Sequence, residues 1–463
     1  MNEETGDWLN SSDSKDYFEL LRFPTVGAEK EHLRDCVQCA TWLKKWLKGI
    51  GAEAELVLPC SGDRNVAAPT ALPVVFAEFK GQEGATTVLV YGHYDVQPAD
   101  PLGEWKTPPF EPTVVGDRVY CRGAQDDKGQ TFAFLTGLTD ALAEREAPPT
   151  VKIVLDGQEE SGSGVLTALA PGLADRLRAD VLLVCDTAAA EGLRPAIVAG
   201  LRGVAHLTVR LDGPARDLHS GEYGGVAPNP AAAIARLVAS LHNPDGSIAV
   251  AGFRDGAVAP THEELELAAA GFPSDLAIET DIGCPPVGGQ LGKAAVQRVS
   301  FEPTIEVNGL HSGYGGPGAK TVIPASAFAK LSLRYVTGQV PERAFAALRT
   351  HLEVNVPLGM RLTVEAADAG SPALRLAPDA PVMAQARRVL AEMDSRGPVF
   401  VWDGASIPVL STLVAVSGAS PLLVGWGQAA DRIHSPNESF SFGQFERACT
   451  WGRRVLDCLG GIR

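Results

Sequence analysis

Three short apolar runs constrain this chain more than any other feature. Thr87–Tyr91, Val151–Leu155 and Val181–Val184 are continuous rather than alternating, the pattern of strands buried on both faces. Each ends in ionisable residues. Gly92-His93-Tyr94-Asp95-Val96-Gln97-Pro98 follows the first, Asp156-Gly157-Gln158-Glu159-Glu160 the second, and Cys185-Asp186-Thr187 the third. A helical pattern over Gln130–Glu144 separates the first two. Strands alternating with helices predict an α/β fold with a largely parallel or mixed central sheet flanked by helices. Ligands in such sheets collect at the carboxyl ends of strands, where His93, Asp126, Glu159, Glu160 and Asp186 fall or lie just beyond. His93 and Asp95, two apart at a strand end, share one face. An imidazole with a carboxylate behind it is therefore expected there.

A chain of 463 residues is too long for one ordinary core, and two domains are the default. The texture changes near Gly200. Strand Val204–Leu211, helix Pro230–His242, strands Thr304–Asn308 and Ala327–Val336, helix Pro341–Leu352 and strand Arg361–Glu365 follow. Without the loop-rich 243–298 insertion this is a βαββαβ order, the ferredoxin-like split βαβ pattern. The expected organisation is a catalytic α/β domain over 1–199 and 373–463, interrupted by an α+β domain over 200–372. Outside the insertion, helices are expected over 16–24, Glu29–Lys48, Val382–Glu392 and Phe445–Leu459, and strands over Ala54–Leu58, Val74–Phe79, Arg118–Cys121 and Pro398–Trp402.

The net charge of −16 argues against a nucleic-acid partner, which needs a basic surface. No apolar run is long enough to span a bilayer, and Met1–Lys15 is polar and acidic, unlike a signal peptide. Eight scattered cysteines fit a reduced, cytoplasmic setting. Cys36 and Cys39 lie inside a predicted helix with no second pair, and read as ordinary helix residues.

His93, Asp126, Glu160, Asp186 and His434 offer imidazole and carboxylate but no thiolate, a set that suits zinc and would accept cobalt or manganese. Five protein donors are too many for one catalytic zinc with an open position, but they fit two metals if one carboxylate bridges. Glu159, beside Glu160, is then free to act as general base toward an activated water.

The stretches Gly-His-Tyr-Asp-Val-Gln-Pro at 92–98, Arg-Gly-Ala-Gln-Asp-Asp-Lys-Gly at 122–129, Glu-Glu-Ser-Gly-Ser at 159–163 and Arg-Ile-His-Ser-Pro-Asn-Glu at 432–438 resemble the M20 family of dinuclear zinc peptidases, and most closely its carnosinase-like cytosolic dipeptidase branch. His-Ser-Gly at 219–221 and the glycine-rich 313–324 stretch extend the resemblance over nearly the whole chain. It implies two divalent ions per chain, zinc first, with manganese or cobalt as the alternatives. Asp126 would bridge them, with His93 and Asp186 completing one site and Glu160 and His434 the other. Asp95 would orient His93, Glu159 would be the base, and the Asp126–Asp127 peptide would be cis. The inserted domain would be a lid that forms a homodimer, with His219 reaching into the partner's site to polarise the scissile carbonyl. Arg334 would grip the terminal carboxylate of a small peptide, with Thr321 and Ser406 lining the same pocket. One departure is Asp403-Gly404-Ala405-Ser406, where many relatives carry Gly-Gly before Ser. Another is Gly425–Ala430, a variable stretch ahead of His434.

The expected activity is hydrolysis of dipeptides or short peptides with a free C-terminal carboxylate. An N-acyl amino acid deacylase on the same site is the nearest alternative, and a non-catalytic metal-binding relative is a third. Gly313-Tyr314-Gly315-Gly316-Pro317-Gly318 fits a dinucleotide fingerprint, but a strand-like stretch follows rather than a helix. Gly404-Ala405-Ser406 lacks the last glycine of a nucleophile elbow, which disfavours a serine hydrolase. His32, His206, His242, His262, His311 and His351 read as ordinary histidines.

Overall fold

The structure, a computed structural model, describes residues 8–9, 11–58, 71–366 and 368–459. The start of the polar Met1–Lys15 stretch lies outside them. The chain divides into two compact units, Met1–Ala199 with Leu376–Val401 and Val409–Arg463, and Gly200–Arg375 with Trp402–Pro408. The principal strands in chain order are β1 (Glu53–Val57), β2 (Val74–Phe79), β3 (Thr87–His93), β4 (Thr150–Asp156), β5 (Val181–Val184), β6 (Ala196–Leu201), β7 (Gly203–Asp212), β8 (Thr304–Ser312), β9 (Ser326–Tyr335), β10 (Arg361–Glu365) and β11 (Ser420–Leu423).

In the first unit the sheet runs in the order β1, β2, β4, β3, β5, β11, β6. β3 is parallel to β4 and to β5, and β11 is parallel to β5. The flanking β1 and β2 are antiparallel. Every residue of β5 is buried, as are Val88–His93 of β3, so both faces of these strands are covered. This is why their sequences carry no alternation. The parallel register pairs His93 with Asp156 and Tyr91 with Val184, so the carboxyl ends of three strands open on one edge. β3 continues two residues beyond its apolar run because Gly92 and His93 pair with Leu155 and Asp156.

β11 was not anticipated. Pro421 in a four-residue run argues against a strand, yet β11 sits inside the sheet between β5 and β6. The preceding helix Leu410–Ser417 also escaped the sequence reading. Cys36 and Cys39 lie in helix Leu33–Gly49, on its buried stripe with Ala40, Leu43 and Leu47. Both are free thiols, and burial pushes each up to about 12.

The second unit holds a four-stranded antiparallel sheet in the order β8, β9, β7, β10. Ala205, Leu207, Val209 and Leu211 alternate along β7 and face a core shared with Ala327, Ala329, Leu331 and Leu333 of β9. Ala233, Ile234 and Leu237 of helix Pro230–Ala239 cover it, with Ala344, Leu348 and Leu352 of helix Pro341–Val354. The Asn229 side chain caps the first of these helices, accepting from the N–H groups of Ala231 and Ala232 ahead of a proline at the first turn. No helix among the described residues is long and apolar enough to cross a membrane.

Two helices of the first unit meet at glycines. A Cβ added at Gly137 would overlap the backbone of Cys449, and one at Gly452 would overlap the carbonyl of Phe134. Helices Lys128–Ala143 and Phe442–Val455 therefore approach backbone to backbone. Alanine normally favours a helix over glycine by about 1 kcal/mol. Here no rotamer relieves the overlap, so overpacking decides the sign. Gly137→Ala is expected to cost ~1–3 kcal/mol, read as a lower urea midpoint. A higher midpoint would refute the contact.

Candidate metal centre

His93 closes β3 with Nδ1 held from behind and Nε2 facing the acidic cluster. Nδ1 lies 3.1 Å from the Asp95 carbonyl oxygen and 3.4 Å from its Oδ1. Nε2 is buried and makes no hydrogen bond, although Asp126 Oδ1 is 3.2 Å away and Asp186 Oδ2 3.7 Å away. In the neutral ring, a proton on Nδ1 directed at Asp95 leaves the Nε2 lone pair facing two carboxylates, a place for either a second proton or a metal ion. That arrangement calls for a cation. Burial works against a charged imidazole here, but the Asp126 and Asp95 groups hold the His93 pKa well above the ordinary histidine value.

Asp95 also ties two strands together. Its Oδ1 accepts the Glu159 N–H and its Oδ2 the Glu160 N–H, each at 3.1 Å. The short turn after β4 is thus held against the end of β3. Gln97 Nε2 donates to Glu160 Oε2 at 2.8 Å.

Two groups of donors result. His93, Asp126 and Asp186 form one, and Asp126, Glu160 and His434 the other, with the ligand atoms of each group within 4.8 Å of one another. His434 Nε2 stands 2.9 Å from Asp126 Oδ2 and 3.3 Å from Glu160 Oε2. Asp126 is the shared member and directs one oxygen to each histidine. The donor chemistry, nitrogen and oxygen without sulfur, fits zinc-class ions. A third group, Glu29, Glu31 and His32, lies at the surface.

The charges explain the titration of these groups. Burial would raise the Asp126 carboxyl, but His434 and His93 outweigh it and hold the group well below the usual carboxylate range. Asp126 and Glu160 push His434 up to about 10. Burial, reinforced by Asp126, carries Asp186 up to about 7. Burial likewise pushes Glu159 well above its ordinary value, with His93 opposing and the Asp186 and Glu160 charges adding to it. Glu159 belongs to neither donor group.

Several supporting residues were not picked out from the sequence. The Asp126–Asp127 peptide is cis, as the resemblance implies; the added support is the Asp127 side chain, whose Oδ2 accepts the His93 N–H at 3.2 Å and the Thr131 hydroxyl. Glu438, fully buried, accepts from Arg122 Nη1 at 2.8 Å and from the N–H groups of Gly123, Gln125 and Asp126 at 2.9–3.1 Å. It therefore clamps the Asp126 loop to the segment that carries His434. Arg122 also donates to the Pro98 and Ser435 carbonyls and sits over the Trp105 ring. In that segment Arg432, His434 and Asn437 all have positive φ, a conformation that surrounding contacts must enforce. Asn437 is gripped by Lys106 N–H and the Glu104 carbonyl. Asp431 is gripped by Gln444 and Arg118. The only signal for Glu438 was its place at the end of the 432–438 stretch.

In the second unit, His219 and Thr321 come together, as do Arg334 and Ser406. His219 Nδ1 accepts the Gly221 N–H at 3.0 Å, which leaves the proton on Nε2, 3.3 Å from the Thr321 hydroxyl. Arg334 Nη1 donates to Ser406 Oγ at 2.8 Å.

A sequence profile described as peptidase family M20/M25/M40 matches residues 89–457. The Cys-Gly metallodipeptidase dug1 of Schizosaccharomyces pombe is 30% identical over 385 residues, covering 81% of this chain and 80% of that protein. The Beta-Ala-His dipeptidase of Homo sapiens is 28% identical over 397 residues, covering 80% and 74%. Among solved structures, an M20 family metallo-carboxypeptidase from Sulfolobus solfataricus superposes with a TM-score of 0.84 at 27% identity, covering 97% of this chain and 99% of that one. Human carnosine dipeptidase 1 superposes with a TM-score of 0.80 at 25% identity, covering 98% of each chain. The chain belongs to peptidase family M20/M25/M40 and is an M20-type metallopeptidase.

The Glu438 clamp sets the position of Asp126 from behind. Glu438→Gln would turn N–H donors of its own toward the N–H groups it now receives. Outer-shell lesions typically cost ~10–100-fold in metal affinity, and that loss is expected in calorimetric titration of the metal-free protein with zinc. Unchanged affinity in a folded variant would refute the clamp.

Proposed function

We propose that this protein is a dinuclear metallodipeptidase that cleaves dipeptides or short peptides bearing a free C-terminal carboxylate. The observation that carries the reading is Asp126, one carboxylate standing in both donor groups. Two zinc-class ions held by His93, Asp126 and Asp186 and by Asp126, Glu160 and His434 would supply Lewis-acid polarisation and a nucleophilic water at neutral pH. Asp95 fixes the His93 ring and the Glu159–Glu160 turn at once. Glu159, outside both groups, takes the proton of the attacking water and delivers it to the leaving amine. The printed activities of the Cys-Gly and Beta-Ala-His relatives support a dipeptide substrate. His219, with Thr321 beside it, presents Nε2–H toward the scissile carbonyl in a partner subunit of a homodimer, and Arg334, with Ser406, receives the terminal carboxylate. The seven described cysteines are all free thiols, which supports a cytoplasmic setting.

Glu159→Gln removes the base but no donor, so turnover should fall ~10²–10⁴-fold with metal content kept. Glu160→Gln removes a donor and should lower metal content as well, by elemental analysis. Equal metal loss in the two variants would show the roles to be misassigned.

The trans role of His219 is tested by complementation. His219→Ala and Glu159→Gln should each be nearly inactive alone. In a mixed dimer one site collects both lesions and the other neither, so co-refolded mixtures should regain part of the wild-type activity. No recovery despite confirmed subunit exchange would end the shared-site reading.

A further inference from the structure

Arg202 follows β6 in the second unit and has no place in the roles above. Its surroundings give it one. Its Nε donates to the Gly404 carbonyl at 3.0 Å and its backbone N–H to the Ala405 carbonyl at 3.1 Å. Its own carbonyl accepts the Ser406 hydroxyl. Three consecutive residues, Gly404 to Ser406, are thus held by one arginine. Its Nη1 reaches the Glu302 carbonyl at 3.4 Å and anchors the side chain on the other side.

The consequence falls on Ser406. A hydroxyl has a single proton, and that proton is spent on the Arg202 carbonyl. The Ser406 oxygen must then turn a lone pair to Arg334 Nη1, 2.8 Å away. Arg334 is steered by an acceptor whose direction Arg202 sets, an orientation in which its other N–H groups would meet a ligand. Gly404 is part of the device. A Cβ there would lie 2.9 Å from Arg202 Nη2 and 2.8 Å from Val299 Cγ1. Burial and the nearby Arg334 charge push the Arg202 guanidinium down to about 10, with Asp403 opposing. The two cations are close enough to feel each other, and Asp403 is the neighbouring counter-charge to both.

We infer that Arg202 is a positioning residue for the carboxylate subsite, orienting Ser406 and through it Arg334, so that preference for a free C-terminal carboxylate depends on Arg202. The inference rests on the reading of Arg334 as the carboxylate-binding residue. It gives the unusual Asp403-Gly404-Ala405-Ser406 stretch a function, since the Arg202 contacts fix the turn leading into Ser406.

The test uses the metal-loaded full-length enzyme, one dipeptide and its C-terminal amide. kcat and KM are measured for wild type, Arg334→Ala, Arg202→Met, Arg202→Lys and Gly404→Ala, with metal content and melting temperature alongside. Arg202→Met should raise KM for the free acid on the order of tenfold, the worth of one hydrogen bond to a charged group. It should leave kcat, metal content and the amide nearly unchanged. Arg202→Lys, which keeps one donor for the Gly404 carbonyl, should recover part of the loss. Gly404→Ala should reproduce the loss with Arg202 in place, and it carries the test if Arg202→Met does not fold. If Arg334→Ala leaves the acid-over-amide preference intact, the carboxylate reading itself fails. If Arg334→Ala abolishes the preference while Arg202→Met and Gly404→Ala retain it, the inference alone is overturned. Equal losses on acid and amide would also overturn it, leaving Arg202 a general structural role.

Discussion

Everything in the first unit answers to one electrostatic problem. Asp95, Asp126, Glu159, Glu160 and Asp186 converge where three parallel strands end, with only His93 and His434 among them as nitrogen donors. Like charges at such separations repel strongly in a dry interior. The protein meets the problem in layers. Asp95 spends both oxygens on backbone N–H groups. Glu438 and Arg122 neutralise each other directly behind the Asp126 loop. The remaining carboxylates face the two imidazoles, and cations held between them would complete the balance. A site so built is strongly biased toward binding divalent ions, because removing them leaves the repulsion uncompensated.

The second unit has the opposite electrical character at Arg334. There two guanidiniums and His206 share a neighbourhood with Asp403, and burial lowers both arginines. The two units thus differ in local charge, with clustered carboxylates at the strand ends of the first and two neighbouring guanidiniums in the second.

How much of this was legible beforehand depended on the kind of signal. His93 and Asp186 stood out because uninterrupted apolar runs lead straight to them, and a parallel sheet must gather its strand ends. β11 did not, since Pro421 masks a four-residue strand whose burial comes from its neighbours. His434 lies in an irregular segment with three left-handed residues. No periodicity could locate it, and only the recognisable 432–438 stretch did. Glu438 illustrates the hardest class. A glutamate reads as surface until its four donors are seen, and those donors lie more than 300 positions away in sequence. Arg202 carried no signal in the sequence, because its contacts depend on a turn that rejoins the second unit from residue 402 onward.

That long separation has a consequence for how the molecule is made. During synthesis the strands bearing His93, Glu160 and Asp186 emerge early, followed by the whole of Gly200–Arg375, before His434 and Glu438 exist. Domains tend to fold as they leave the ribosome, but the first unit cannot close in that order. Its acidic strand ends wait without their last imidazole, the Asp126 loop waits without its clamp, and helix Lys128–Ala143 waits for the glycine-lined partner that ends at Val455. The inserted unit can finish folding first, while the centre waits for the later segment that carries His434 and Glu438. A nascent chain stopped short of His434 would carry these charges without the second imidazole and without the Glu438 clamp that hold them together.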